Sequence, residues 1–318
     1  MSFIPLLSRL RTPKTITADG GFHLTMIAAF LGSLVISAIG YAFCDISVAW
    51  KQAIPLALTL LLLSGMAAQY KWRKETRCFN ITMMALWIVV VTNAHFFPMY
   101  MAARRVVPLC DATLAGFDRW LGLEVPTVLA VMKNYPLLNS WMLAIYGTLI
   151  PLMTLATVLP PILNRMETAK EFLLSCLVAA TISLPIFAFV QAVGPWDFYG
   201  FQPAIPSLSL KAGMLQTLDS AQVFMVDLSN RDGLITFPSF HVILTVLAAA
   251  SLRSYRRLRW IVMPWAALIV MSTVTTGIHY SIDVIGGLGI ATFSWWCATR
   301  YLKWLDRLEN RVEKAPAV

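Results

Sequence analysis

The chain predicts an all-α, polytopic integral membrane bundle. Hydrophobic residues make up 58% of its 318 positions and charged residues only 13%. Mean hydropathy is +0.69, and several apolar runs reach the roughly 20 residues that carry a helix across a bilayer. A barrel is excluded, because barrel strands alternate over roughly ten residues, whereas these segments are apolar on every side. The length accommodates about eight spans with short connections. No second soluble domain, short repeat or low-complexity tract interrupts it, so residues 1–318 read as one membrane-embedded domain.

In order, the spans are expected at 22–43, 53–70, 79–101, 142–163, 172–193, 238–253, 260–278 and 281–301. The first follows basic residues, is longer than a signal h-region and lacks a small-residue cleavage site, so it reads as a retained helix with His23 at the interface. The third carries His95 near Pro98, a packed or pore-facing side chain. The sixth, from Pro238, is about one turn short of a crossing and is expected to begin below the membrane surface. Trp295, Trp296 and Tyr301 close the last span as interfacial anchors.

Basic residues set the orientation. Of 25 lysines and arginines, 18 flank the spans on one side, and Lys51, Arg104, Arg105, Arg119, Lys133, Lys211 and Arg231 fall on the other. The richer side is expected to be cytoplasmic. Both termini then lie inside, and the long loops at about 102–141 and 194–237 lie outside, toward periplasm or lumen. The formal charge of +9 follows largely from this bias. Anionic membrane lipids, not nucleic acid, are the partners it implies.

Two polar islands stand out: Phe237-Pro238-Ser239-Phe240-His241 and Gly277-Ile278-His279-Tyr280-Ser281-Ile282-Asp283. Ionisable residues at the ends of spans are costly to keep and mark functional sites. The topology puts both islands on the outer side, separated by one helical hairpin, so the two histidines can meet. On a helix Asp283 reaches back to His279 at i−4. A carboxylate on one imidazole nitrogen fixes the tautomer and makes the other nitrogen more basic. That suits a nucleophilic histidine, with His241 as the acid for a leaving oxygen and the Ser239 hydroxyl donating to an anion at the helix start. Pro238 fits a first turn, where its missing N–H costs nothing. The bland alternative is a structural His–Asp pair beside an ordinary cap. Five scattered cysteines have no metal spacing, and Cys44 and Cys110 fall on the same outer side, where a disulfide has room to form.

The islands resemble the second and third signature motifs of the type-2 phosphatidic acid phosphatase superfamily. Phe-Pro-Ser-x-His and His-Tyr-Ser-Ile-Asp-Val, with Gly286-Gly287 just after, resemble inositol phosphorylceramide synthases in particular. The likeness is strongest over residues 194–290. It implies a six-helix catalytic core, attack on phosphorus by His279, orientation by Asp283 and leaving-group protonation by His241, with no metal or cofactor. The implied donor is a phospholipid or polyprenyl phosphate, and the acceptor is water or an alcohol or lipid hydroxyl. Two family features are missing: the arginine six residues before the motif histidine is Thr273 here, and there is no lysine-x6-arginine-proline motif. Transferase relatives also tend to lack that arginine, which favours transfer over hydrolysis.

Substrate-binding residues are expected to be Ser239 and Tyr280 from the islands, and Arg231 and Arg105 as replacement cations, with Arg104 and Lys211 behind them. Gly194-Pro195-Trp196-Asp197-Phe198-Tyr199-Gly200 weakly resembles the Pro-rich aromatic stretch that precedes the catalytic loop in the transferase branch, and the favoured reading is a helix end with an interfacial aromatic pair. Leu114 to Gly122 forms an amphipathic helix in the interface, either covering the site or simply packing. Two other classes stay open: an ion- or proton-coupled transporter using His95, His241, His279 and Asp283, and a non-catalytic lipid-binding member of the same family.

Overall fold

A computed structural model describes residues 17–43, 46–48, 50–104, 107–202, 204, 224–226 and 234–313. In chain order the elements are α1 (Ala18–Phe43), β1 (Ile46–Val48), α2 (Trp50–Trp72), α3 (Thr76–Ala94), α4 (Phe96–Ala103), α5 (Asp111–Leu121), α6 (Val125–Lys133), α7 (Pro136–Tyr146), α8 (Leu149–Ile162), α9 (Met166–Phe189), α10 (Pro195–Phe198), β2 (Phe224–Val226), α11 (Phe240–Leu252), α12 (Arg259–Thr275) and α13 (Ser281–Glu313). The helical bundle expected from the composition is what forms. Its one departure among the described residues is a short parallel pairing of β1 with β2, in register Ile46 to Phe224.

Each expected span is a helix. Six stretches are long and apolar enough to cross a membrane, at 18–43, 53–72, 76–103, 136–162, 166–189 and 281–310, while α11 and α12 are apolar but shorter. Two of the six are composite. The third breaks at His95, three residues before Pro98, and the fourth breaks at Gly147-Thr148, just before Pro151. Proline lacks an N–H and its ring collides with the carbonyl four residues earlier, so a break one turn upstream is its expected trace.

The core lies between α3, α8, α9, α11, α12 and α13. Phe172, Leu173 and Ala179 of α9, and Ile243, Leu247 and Ala248 of α11, are sealed inside it. Leu58, Leu61 and Leu62 on α2 stay exposed, as lipid-facing residues do. At the far end of α13 from Ser281, charges tie three helices together. Lys170 of α9 pairs with Asp19 of α1 and with Glu167, and the Ala18 N–H donates to Glu309 at 2.9 Å.

Candidate active site

The second island is a tight reversal between α12 and α13. Gly277 supplies the left-handed conformation that ends α12, at φ 73°, where a side chain would be strained. The chain then folds back, and the His279 N–H donates to the Thr273 carbonyl at 3.0 Å. Asp283 is the third residue of α13. Its Oδ2 accepts the Tyr280 N–H at 2.9 Å, the acidic half of a capping box, and lies 3.2 Å from His279 Nδ1. Because an ionised carboxylate only accepts, the shared proton belongs on Nδ1, and Nε2 carries the lone pair. His279 is 5% exposed and Asp283 fully buried.

The first island meets the second through the backbone. Ser239 is the N-cap of α11, its Oγ accepting from the Val242 N–H at 3.4 Å, and its own N–H donates to the Asp283 carbonyl at 3.1 Å. Gly286 and Gly287 make this approach possible, since a β-carbon at Gly287 would stand 2.9 Å from the Ser239 carbonyl oxygen. His241 follows in the first turn of α11, within electrostatic reach of His279. Its Nε2 is 3.0 Å from the Tyr146 carbonyl, and its ring stacks on Tyr146 at 3.9 Å and 9°. Tyr146 is the last residue of α7, so the break at Gly147 leaves its carbonyl at a helix end, accessible to a side-chain donor.

Two carboxylates that the sequence did not single out hold this loop from α5. Asp118 accepts the Ser281 N–H at 2.8 Å and the Ile282 N–H at 2.9 Å, one on each oxygen. Asp111, two turns earlier on the same face, accepts the Val193 N–H at 3.0 Å and the Gly194 N–H at 2.9 Å. The Tyr280 hydroxyl also donates to Asp111, at 2.9 Å. Between them Leu114 and Ala115 pack with Val125, Ala192 and Tyr280. Burial raises the Asp118 carboxyl, more than the two N–H groups lower it. Burial and the Asp111 carboxylate push the Tyr280 phenol well up.

Tyr280 is fully buried with its hydroxyl on Asp111, so its phenol braces the loop. The Gly194–Gly200 stretch is more than an interfacial belt. Trp196 is buried in one cluster with Ile278, and Gly194, at φ 131°, passes so close that a β-carbon there would stand 3.2 Å from the Ile278 carbonyl oxygen. The α5 segment packs as a support under the loop, with Phe117 and Trp120 exposed on its other face.

The expected cations Arg231, Arg105 and Lys211 lie outside the described residues, as does Cys44; Cys110 carries a free thiol. Arg104 is half-buried at the end of α4, and Arg119 lies near Tyr199. Thr273 is fully buried. His95 packs away from the two islands, 3.3 Å from Thr181 Oγ1, on a cavity of about 570 Å³ between α1, α4, α9 and α13. His23 accepts the Trp87 indole N–H at 2.9 Å. Among the described residues, no group of three or more His, Cys, Asp and Glu side chains converges as metal ligands do.

With both islands at one end of the bundle, comparison with known families decides the assignment: the PAP2 superfamily matches residues 112–297, more than half of the chain. The chain belongs to the PAP2 superfamily. The match runs from α5 through the first half of α13, so the PAP2 region takes in Asp118, both polar islands and the glycines that bring them together. Membership supports a phosphatase- or phosphotransferase-type function on phosphorylated lipids in an integral membrane protein. No curated protein and no solved structure matches the chain.

Proposed function

We propose that the protein is a membrane lipid phosphotransferase working through a phosphohistidine at His279. The observation that carries this is the His279 Nδ1–Asp283 Oδ2 contact of 3.2 Å, which leaves Nε2 basic and directed away from the carboxylate. In the first half-reaction Nε2 attacks the phosphorus of a phospholipid or polyprenyl phosphate. The N–P bond forms, the P–O bond breaks, and His241 gives its proton to the leaving oxygen. Asp283 balances the positive charge that the ring gains.

In the second half-reaction an acceptor hydroxyl attacks the phosphohistidine, its proton passes to His241, and the P–N bond breaks. A lipid or polyol hydroxyl makes the enzyme a transferase, and water makes it a hydrolase. The inositol phosphorylceramide synthase-like motif strings and the threonine at position 273 favour transfer. Ser239 serves the phosphate from the α11 start, with Arg231 and Arg105 as the cations. The basic-residue bias puts both termini in the cytoplasm and the site on the periplasmic or lumenal side.

The test is phosphorus release and transfer from a panel of radiolabelled phospholipid and polyprenyl phosphate donors, with and without alcohol acceptors, using wild-type protein beside His279→Ala. Turnover confined to wild type is expected, with product on the acceptor. Equal turnover in the variant would remove the histidine mechanism, and donor binding without turnover under every condition would make the protein a lipid binder.

A further inference from the structure

We propose that Asp118 is a positioning residue for His279, holding the catalytic loop in register from outside both signature islands. The first turn of a helix leaves N–H groups without intrahelical partners. In α13 those of Ser281 and Ile282 go to the two oxygens of Asp118, and that of Asp283 goes to the Tyr280 carbonyl at 3.1 Å. The Ser281 hydroxyl adds a bond to the Leu123 carbonyl, 2.9 Å away just past the end of α5. The helix end that carries Asp283, and through it the His279 ring, therefore has its position set by α5.

The same helix also holds residues 193–194. Asp111 and Asp118 are seven residues apart and share one face, so a single rigid element fixes residues 193–194 and 281–282 together. The Thr236 hydroxyl adds a bond to the Ala192 carbonyl at 2.6 Å, which joins the approach to the first island to the same frame. A carboxylate is the side chain that fits position 118, because two converging N–H donors need two acceptors. Asparagine offers one acceptor and sets an NH2 group against the second N–H.

The kinetic part of this inference rests on the phosphohistidine reading; the structural part does not. The experiment compares wild type, Asp118→Asn and Asp118→Ala, full-length in nanodiscs, by hydrogen exchange and by steady-state kinetics. Both variants are expected to speed exchange in peptides covering 277–284, with the body of α13 still protected. Displacement of the ring should lower kcat by about 100-fold while KM for the donor holds. Unchanged exchange at 277–284 overturns the inference, and so does a loss of folded protein with kcat per folded molecule at the wild-type value. If wild type turns over no donor, the phosphohistidine reading fails, and the exchange result still decides whether Asp118 holds the loop.

Discussion

Ser239 and Asp283 are joined backbone to backbone, the Ser239 N–H donating to the Asp283 carbonyl at 3.1 Å. This bond links the two islands without using the side chain of either residue. It leaves the Asp283 carboxylate to His279 and Tyr280, and it sets the start of α11 against the start of α13.

The bond requires a close approach that Gly287 permits. A β-carbon there would stand 2.9 Å from the Ser239 carbonyl oxygen and 3.0 Å from Val242 Cβ, and a backbone oxygen cannot rotate away. Gly287→Ala is expected to cost about 1–3 kcal/mol by overpacking and to lower turnover by parting the islands. Gly289→Ala, where nothing lies within 4 Å, should be neutral or slightly stabilising because alanine favours helix. Thermal unfolding of the two variants is the measurement; equal midpoints would contradict the close contact.

Asp283→Asn tests the tautomer argument. An amide can still accept from the Tyr280 N–H, so the capping of α13 survives, but it cannot balance a positive imidazole. Turnover is expected to fall by about 10³–10⁴-fold, the scale seen when a carboxylate orienting a catalytic histidine is neutralised. The thermal midpoint should move little, and turnover within a few-fold of wild type would argue that the pair is structural.

Tyr280→Phe separates a brace from a substrate ligand. The hydroxyl is buried on Asp111, which keeps the Val193 and Gly194 N–H groups in the variant. The expected loss is about 1 kcal/mol of stability, the worth of one such bond, with KM for the donor unchanged. A clear rise in KM at constant stability would return Tyr280 to the binding site.

What the sequence made legible follows from what side chains advertise. The spans announced themselves because lipid-facing helices must be apolar along their length, and His279 with Asp283 did so by their spacing, although His279 lies in the turn before α13 and meets Asp283 through the capping of that helix and not along a helical face. Asp111 and Asp118 carried a signal of the same kind: both share the apolar face of α5 with Leu114 and Ala115, where an acid is buried only if it meets donors. Their donors are backbone N–H groups about 80 and 160 residues away, which no local pattern reveals. Tyr146 was illegible for a related reason, since it meets His241 through a carbonyl that every residue has. The closeness of Gly194 to Ile278 depends likewise on tertiary packing, although Gly-Pro-Trp does mark a helix end.

The raised Asp118 carboxyl makes the clamp pH-dependent in a direction opposite to that of a salt-bridged aspartate. Burial holds it above the ordinary value of 3.8, against the pull of the Ser281 and Ile282 N–H groups. A group whose folded pKa exceeds its unfolded one adds stability below the unfolded pKa and loses that contribution as pH rises through the folded one. At neutral pH the ionised carboxylate therefore subtracts from stability while it holds the loop. Asp118→Asn lacks this titration, so the difference in thermal midpoint between the two proteins should change with pH even though the variant's turnover stays low. As pH drops from 7 toward 3.8, wild type should gain on the variant in stability, while protonation removes one of the two acceptors and wild-type turnover declines. Midpoints measured for both proteins across that range decide the matter: a wild-type advantage at pH 7 that shrinks on acidification would mean that the ionised carboxylate stabilises the fold.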